Sequence, residues 1–148
     1  MKFSIKIEFD GNKVIGFVPK LSACYVQAAK IQDIAALMKM AIGIYKDNYE
    51  SRREPFSPEI ERPKINHKIK FQTISANQLA NILRRFSYKN EFANNYFILF
   101  RKTVFPFDRI ILPNTNDISP LIIRKLFGVD NVTVIRSEKN NFRISDQA

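Results

Sequence analysis

The chain contains one histidine, His67, and one cysteine, Cys24, so few of its side chains can do acid-base or nucleophilic chemistry. An imidazole needs a nucleophile or an orienting partner beside it to act as a general base. His67 follows Asn66 in a proline-containing stretch without such a partner, and is expected to be exposed and inert. Cys24 lies between Ala23 and Tyr25 with no neighbouring cation to favour the thiolate, which points to a core thiol. A lone cysteine forms no intramolecular disulfide, and with a lone histidine it cannot assemble a zinc site within one chain. Asp10 and Asp33 could share a magnesium ion only if folding brought them together; their positions suit a turn and a helix start better. The expectation is therefore no catalytic residue, no cofactor and no metal.

What remains is charge. The formal net charge is +10 over 148 residues, and it is unevenly distributed. Up to Pro63 there are ten Lys/Arg against eight Asp/Glu; from Lys64 onward there are fourteen against six. Clustered cations attract phosphate backbones through counterion release, whereas a basic helix face can also serve only solubility or the docking of an acidic protein. The candidate nucleic-acid-binding set is Arg84, Arg85, Lys89, Arg101, Lys102, Arg124 and Lys125, with aromatic residues interleaved.

These side chains need a scaffold, and 45% hydrophobic with 12% aromatic residues is enough apolar material to close a core. Phe3, Ile5, Ile7 and Phe9 alternate with polar residues, which predicts a strand with one buried face. Asp10-Gly11-Asn12 supplies a turn, and Lys13 to Val18 completes a hairpin. A short extended piece around Tyr25 to Ala28 follows. From Gln32 to Tyr45 the residues Ile34, Leu37, Met38, Ala41, Ile42 and Tyr45 recur at helical spacing, as one stripe that should cover the sheet. Pro55, Pro58 and Pro63 interrupt a charged, aperiodic stretch that reads as a linker.

Past the prolines, Lys68 to Gln72 reads as a short strand and Ser75 as the N-cap of a helix through Phe86. Asn95 to Lys102, Thr103 to Phe107 and Arg109 to Leu112 read as an antiparallel meander. Ser119-Pro120 opens a second helix that Gly128 stops, with Arg124 and Lys125 outward. Val132 to Arg136 reads as a last strand before a polar tail. The fold class is α+β, built from two small α/β units: residues 1–47, a linker over 48–67, and a basic unit over 68–148. The first unit orders as β-β-β-α and the second as α-β-β-β-α with an extra strand. A short sheet under a single helix leaves a face or an edge in need of cover, so self-association through the first unit is expected.

The first half resembles the HicB family of bacterial antitoxins over roughly Phe3 to Tyr45. The resemblance is carried by Phe17-Val18-Pro19, Leu21, Ala23-Cys24, Gln32-Asp33 and the helix face with Ala41, Ile42 and Tyr45. Ala23 and Ala28 stand where that family usually has glycines, which implies negative φ at both positions. The second half is similar to the HicA family, a small toxin with a fold like double-stranded-RNA-binding domains. Here the helix Leu79 to Phe86, the segment Ile110-Ile111-Leu112-Pro113 and Ile123 to Gly128 carry the likeness.

The family's catalytic histidine falls on Asn95, whose amide has no proton to exchange near neutral pH. The resemblance thus implies a degenerate catalytic position and a non-catalytic binding protein related to toxin-antitoxin modules. Its partners would be RNA or DNA, together with a protein or a second copy. The competing expectation is a fused toxin-antitoxin ribonuclease, and a third is a purely structural protein. No run of apolar residues is long enough for a membrane span, and the amino terminus lacks a signal-peptide pattern, so a cytoplasmic location is expected.

Overall fold

A computed structural model describes residues 3–21, 23–55 and 74–128 with their side chains, and the backbone of 69–71, 132–135 and 143–145. The architecture is α+β. Strands β1 (Lys6–Asp10), β2 (Lys13–Phe17) and β3 (Tyr25–Ala28) form an antiparallel sheet. A 3-10 turn (Ile31–Asp33) and helix α1 (Ile34–Ser51) follow. After β4 (Ile69–Phe71) come α2 (Ala76–Arg84), the antiparallel strands β5 (Tyr88–Ala93), β6 (Phe97–Lys102) and β7 (Arg109–Pro113), and α3 (Pro120–Phe127). β8 (Val132–Ile135) pairs in parallel with β4 and antiparallel with β9 (Arg143–Ser145).

The two antiparallel sheets meet edge to edge. Cys24 bridges Ile111 in parallel, and the Ile111 amide donates to the Ala23 carbonyl at 2.9 Å. The next rung of such a ladder would need an N–H from residue 113, and Pro113 has none, so β3 and β7 part there. Side-chain alternation then gives this composite sheet two apolar faces. Val14, Cys24, Val26, Phe97, Leu99 and Ile111 pack with Ile34, Met38, Ala41, Tyr45 and Tyr49 of α1. Ile15, Tyr25, Ile98, Phe100, Ile110 and Leu112 pack on the opposite face against α2 and α3. Each half thus supplies residues to both cores, and the two halves form one body.

Local signals match the elements they open and close. Ser75 and Gln78 exchange side-chain and backbone hydrogen bonds at 3.1 and 2.8 Å, a reciprocal cap at the start of α2. Ser119 caps α3 with Pro120 at its first position, and Gly128 leaves it at φ 88°. Ser119 Oγ also donates to Asp10 Oδ2 at 2.9 Å, so the β1–β2 turn is tied to the start of α3.

Four expectations are corrected. Helix α1 runs on through Ser51, so 48–51 is helix rather than linker: Tyr49 stands four residues after Tyr45 and continues the stripe, with ring centroids 5.4 Å apart. The rest of that linker, from residue 56, lies outside the described residues, as does His67. Thr103 to Phe107 is a loop with a cis Phe105–Pro106 bond, and the third strand of the meander is Tyr88–Ala93. That strand is a charged edge, the composition that blunts an exposed ladder and hides its strand pattern. Arg143–Ser145, in the polar tail, pairs as β9. Ala23, finally, holds φ 65° despite its Cβ, at a cost of about 1 kcal/mol, at the residue whose carbonyl receives Ile111. Ala28 is not among the positive-φ residues.

Candidate nucleic-acid interface

The predicted basic set divides into two groups that do different work. One group joins the halves. The Arg101 fork grips the Glu54 carboxylate, and Arg109 Nη1 reaches Glu54 Oε1 at 2.5 Å. Arg109 is completely buried; its Nε donates to Asn48 Oδ1 at 2.9 Å and its guanidinium lies 3.9 Å from the Tyr49 ring centroid. Glu54, just past the end of α1, therefore clamps that helix to β6 and β7. Hydrogen bonding from Arg101, and then from Arg109, holds the Glu54 carboxyl below the usual carboxylate range, and the same contact with Glu54 raises the Arg101 guanidinium.

Lys125 belongs to the same group. Its ammonium pairs with Glu8 at 3.0 Å and sits 4.2 Å from the Phe17 ring centroid, so α3 is attached to β1 and β2. Arg124, expected outward, is partly buried.

The other group lies at one corner. Arg84 and Arg85 end α2, where Arg85 N–H closes on Ile82 O and the chain reverses through Ser87 at φ 70°. Lys89 is the second residue of β5, and Lys102 pairs with Tyr88 across the ladder, its ammonium 5.8 Å from the tyrosine ring centroid. Arg84, Arg85 and Lys89 are exposed. Thr103 N–H donates to Ser87 O at 2.9 Å, which brings the β6–β7 loop alongside. At its tip Phe105 is 82% exposed and Val104 is exposed beside it.

The second half is rich in cations over its described stretch. Between residues 74 and 128 there are eight Lys/Arg against three Asp/Glu. Glu91 is held by Arg52, Asp108 accepts from the Tyr88 hydroxyl at 2.8 Å, and Asp117 is paired with Lys13. Each of these three carboxylates thus has a partner other than Arg84 or Arg85. An exposed aromatic ring on a loop next to cations can stack a base while the cations hold phosphates. Phe105 was not foreseen from sequence, where Thr103 to Phe107 reads as a strand; the proline within it was the signal for a projecting loop.

Asn95 stands apart from this corner. It is exposed in the β5–β6 turn, which Asn94 organises by accepting the Tyr96 and Phe97 amides at 2.8 Å each. The length of β5 separates it from Lys89, about 15–20 Å. Cys24 is buried, its thiol against Met38 Sδ at 3.9 Å, and burial pushes it up to about 12. Among the described residues no group of three His, Cys, Asp or Glu is arranged to hold a metal, and no helix is long and apolar enough to cross a membrane. Comparison with protein-family models, curated proteins and solved structures finds no match to this chain.

Proposed function

We propose that the protein is a non-catalytic, cytoplasmic regulatory protein that binds RNA or DNA at the corner formed by the end of α2, the start of β5 and the β6–β7 loop. The observation that carries this reading is the exposure of Arg84, Arg85 and Lys89 on either side of Ser87, whose carbonyl ties in the β6–β7 loop that carries the exposed Phe105; among the described residues of the second half, Glu91, Asp108 and Asp117 each have another partner. The order α-β-β-β-α with both helices on one sheet face supports the likeness to double-stranded-RNA-binding domains, and with it a relation to toxin-antitoxin modules. Asn95 in place of a histidine supports binding without cleavage.

The test is binding of short single-stranded and duplex RNA and DNA across a salt series. Replacing Arg84, Arg85 and Lys89 together by Ala should weaken binding and flatten the salt slope by about three contacts. Asn95→Ala should leave binding intact. Absence of binding at low salt removes the nucleic-acid reading, and RNA cleavage abolished by Asn95→Ala restores the ribonuclease.

Self-association belongs to the same proposal, with a changed basis. The sheet face expected to need cover is covered by the second half. The edge strand β1 instead presents Ile7 and Phe9, the latter 65% exposed, and pairing of two β1 edges would protect them. Light scattering of the full chain and of Phe9→Lys tests this: a dimer lost in the variant supports it, and a wild-type monomer refutes it.

A further inference from the structure

β3 and β7 run side by side in parallel and then leave the sheet in opposite directions. β3 leads through the 3-10 turn to α1 on one face; β7 leads to α3 on the other. Where adjacent parallel strands diverge in this way, a crevice opens beyond their carboxyl ends, the general location of ligands in open α/β sheets. Pro113 widens it by ending the ladder. The resulting cavity is about 750 Å3, a size typical of small-molecule sites.

The walls define what would fit. Where the backbone ladder stops, the Gln27 amide spans the gap, donating to Asp117 O at 2.9 Å and accepting the Ser119 amide at 2.7 Å. Lys13 is neutralised by Asp117 at 2.7 Å, so among the described residues the lining has no cation to spare for a phosphate, and Asp33 adds a carboxylate. Met40 and Tyr96, both exposed, offer an apolar and an aromatic surface. Asn95 and Asn114 supply side-chain amides; Asn114 Nδ2 is used on Asn94 O at 2.7 Å, which leaves its Oδ1 to accept.

A flat heterocycle bearing both donors and acceptors, attached to neutral hydroxyls, matches this combination. We infer that the crevice binds a nucleoside, with the base against Tyr96 and Met40, its edge read by Asn95 and Asn114, and the ribose hydroxyls donating to Asp33. A phosphorylated form is disfavoured by that same carboxylate. The site lies at the opposite end of β5 and β6 from the basic corner and is independent of it.

The test is a 15N-NMR titration of the full chain with adenosine, guanosine, cytidine and uridine, each to about 10 mM, the range in which a weak site still saturates. One or more should shift the amides of Gln27, Asn95, Tyr96 and Asn114 while leaving Arg84 to Lys89 unmoved, and its 5′-monophosphate should bind more weakly. Tyr96→Ala should weaken binding by about tenfold through lost stacking. Ala36→Trp, on an exposed position of α1 that lines the crevice, should block it with the spectrum of the fold unchanged. Four results overturn the inference: no shifts from any nucleoside, shifts confined to Arg84 to Lys89, tighter binding of the monophosphate, or unchanged binding by a folded Ala36→Trp.

Discussion

Glu54→Gln isolates the charge of the clamp between the halves while keeping its shape. In the wild type the carboxylate, 13% exposed, receives the Arg101 fork and the fully buried Arg109. The amide retains one acceptor oxygen but no charge, and it turns an NH2 group toward two guanidinium groups. Arg109 keeps the Phe107 and Asn48 carbonyls as acceptors, so the loss falls at the lower end of the range for stripping a partner from a buried ion pair, about 3 kcal/mol. For a chain of this size that is a drop in Tm of about 6–12 °C.

Acid gives the claim a second edge. A carboxyl held below its ordinary value of 4.5 contributes its full stability above that pH and loses it as the pH falls toward the folded-state value. The glutamine has no proton to gain, so the two stability curves should lie parallel above about pH 5 and converge below about pH 4.5. Urea unfolding followed by tyrosine fluorescence at several pH values measures both effects. A difference below about 1 kcal/mol at pH 7, or one that does not shrink in acid, would refute the assignment of Glu54 as the charged clamp.

Gly16→Ala should cost about 1–3 kcal/mol, because its new Cβ would stand 2.7 Å from Ile34 Cγ2 and 2.9 Å from Val26 Cγ2; an unchanged denaturation midpoint would show that α1 can move away. Ser75→Ala removes one side of the reciprocal cap on α2 and should lower stability by about 1 kcal/mol in the same assay. Cys24, its thiol pushed up to about 12, should resist a disulfide reagent at pH 8 until the protein unfolds; labelling as fast as in a peptide would contradict its burial. Lys125→Ala should lower stability by no more than about 1 kcal/mol and leave nucleic-acid affinity nearly unchanged, since its partner is Glu8; a loss of affinity as large as a third of that caused by replacing Arg84, Arg85 and Lys89 together would return it to the interface.

Much of the scaffold was legible because local chemistry and periodicity agreed. Ser75, Ser119-Pro120 and Gly128 mark helix ends through their own hydrogen bonds and φ preferences, and the Ile34 to Tyr45 stripe follows from 3.6-residue spacing alone. Strand β5 was hidden because an edge strand needs no alternation, and Lys89, Asn90 and Glu91 look like a loop. The union of the halves was hidden for another reason: Ile98 and Leu99 are both apolar in any buried strand, and nothing in their order says that one faces α3 and the other faces α1. At the interface, the sequence places seven cations near one another, but which are spent on Glu54 and Glu8 depends on contacts between residues 47 and 117 positions apart. The crevice at β3 and β7 was beyond reach, since it exists only where two chain segments from different halves diverge.

The sharing of both cores also has a consequence during synthesis. When the first 55 residues have left the ribosome, Ile15 and Tyr25 on one side of the hairpin lack the partners that α2, α3 and β5 to β7 bring, and Tyr45 and Tyr49 on α1 lack Phe97, Leu99 and Ile111. Those partners extend to Phe127, and at typical elongation rates they arrive roughly 4–15 s later. Over that interval the nascent chain presents an incomplete apolar surface on both sides of a three-stranded sheet, the kind of segment that chaperones hold. A segment beginning at Lys64 meets the mirror-image difficulty, because Phe97, Leu99 and Ile111 would face water in place of α1.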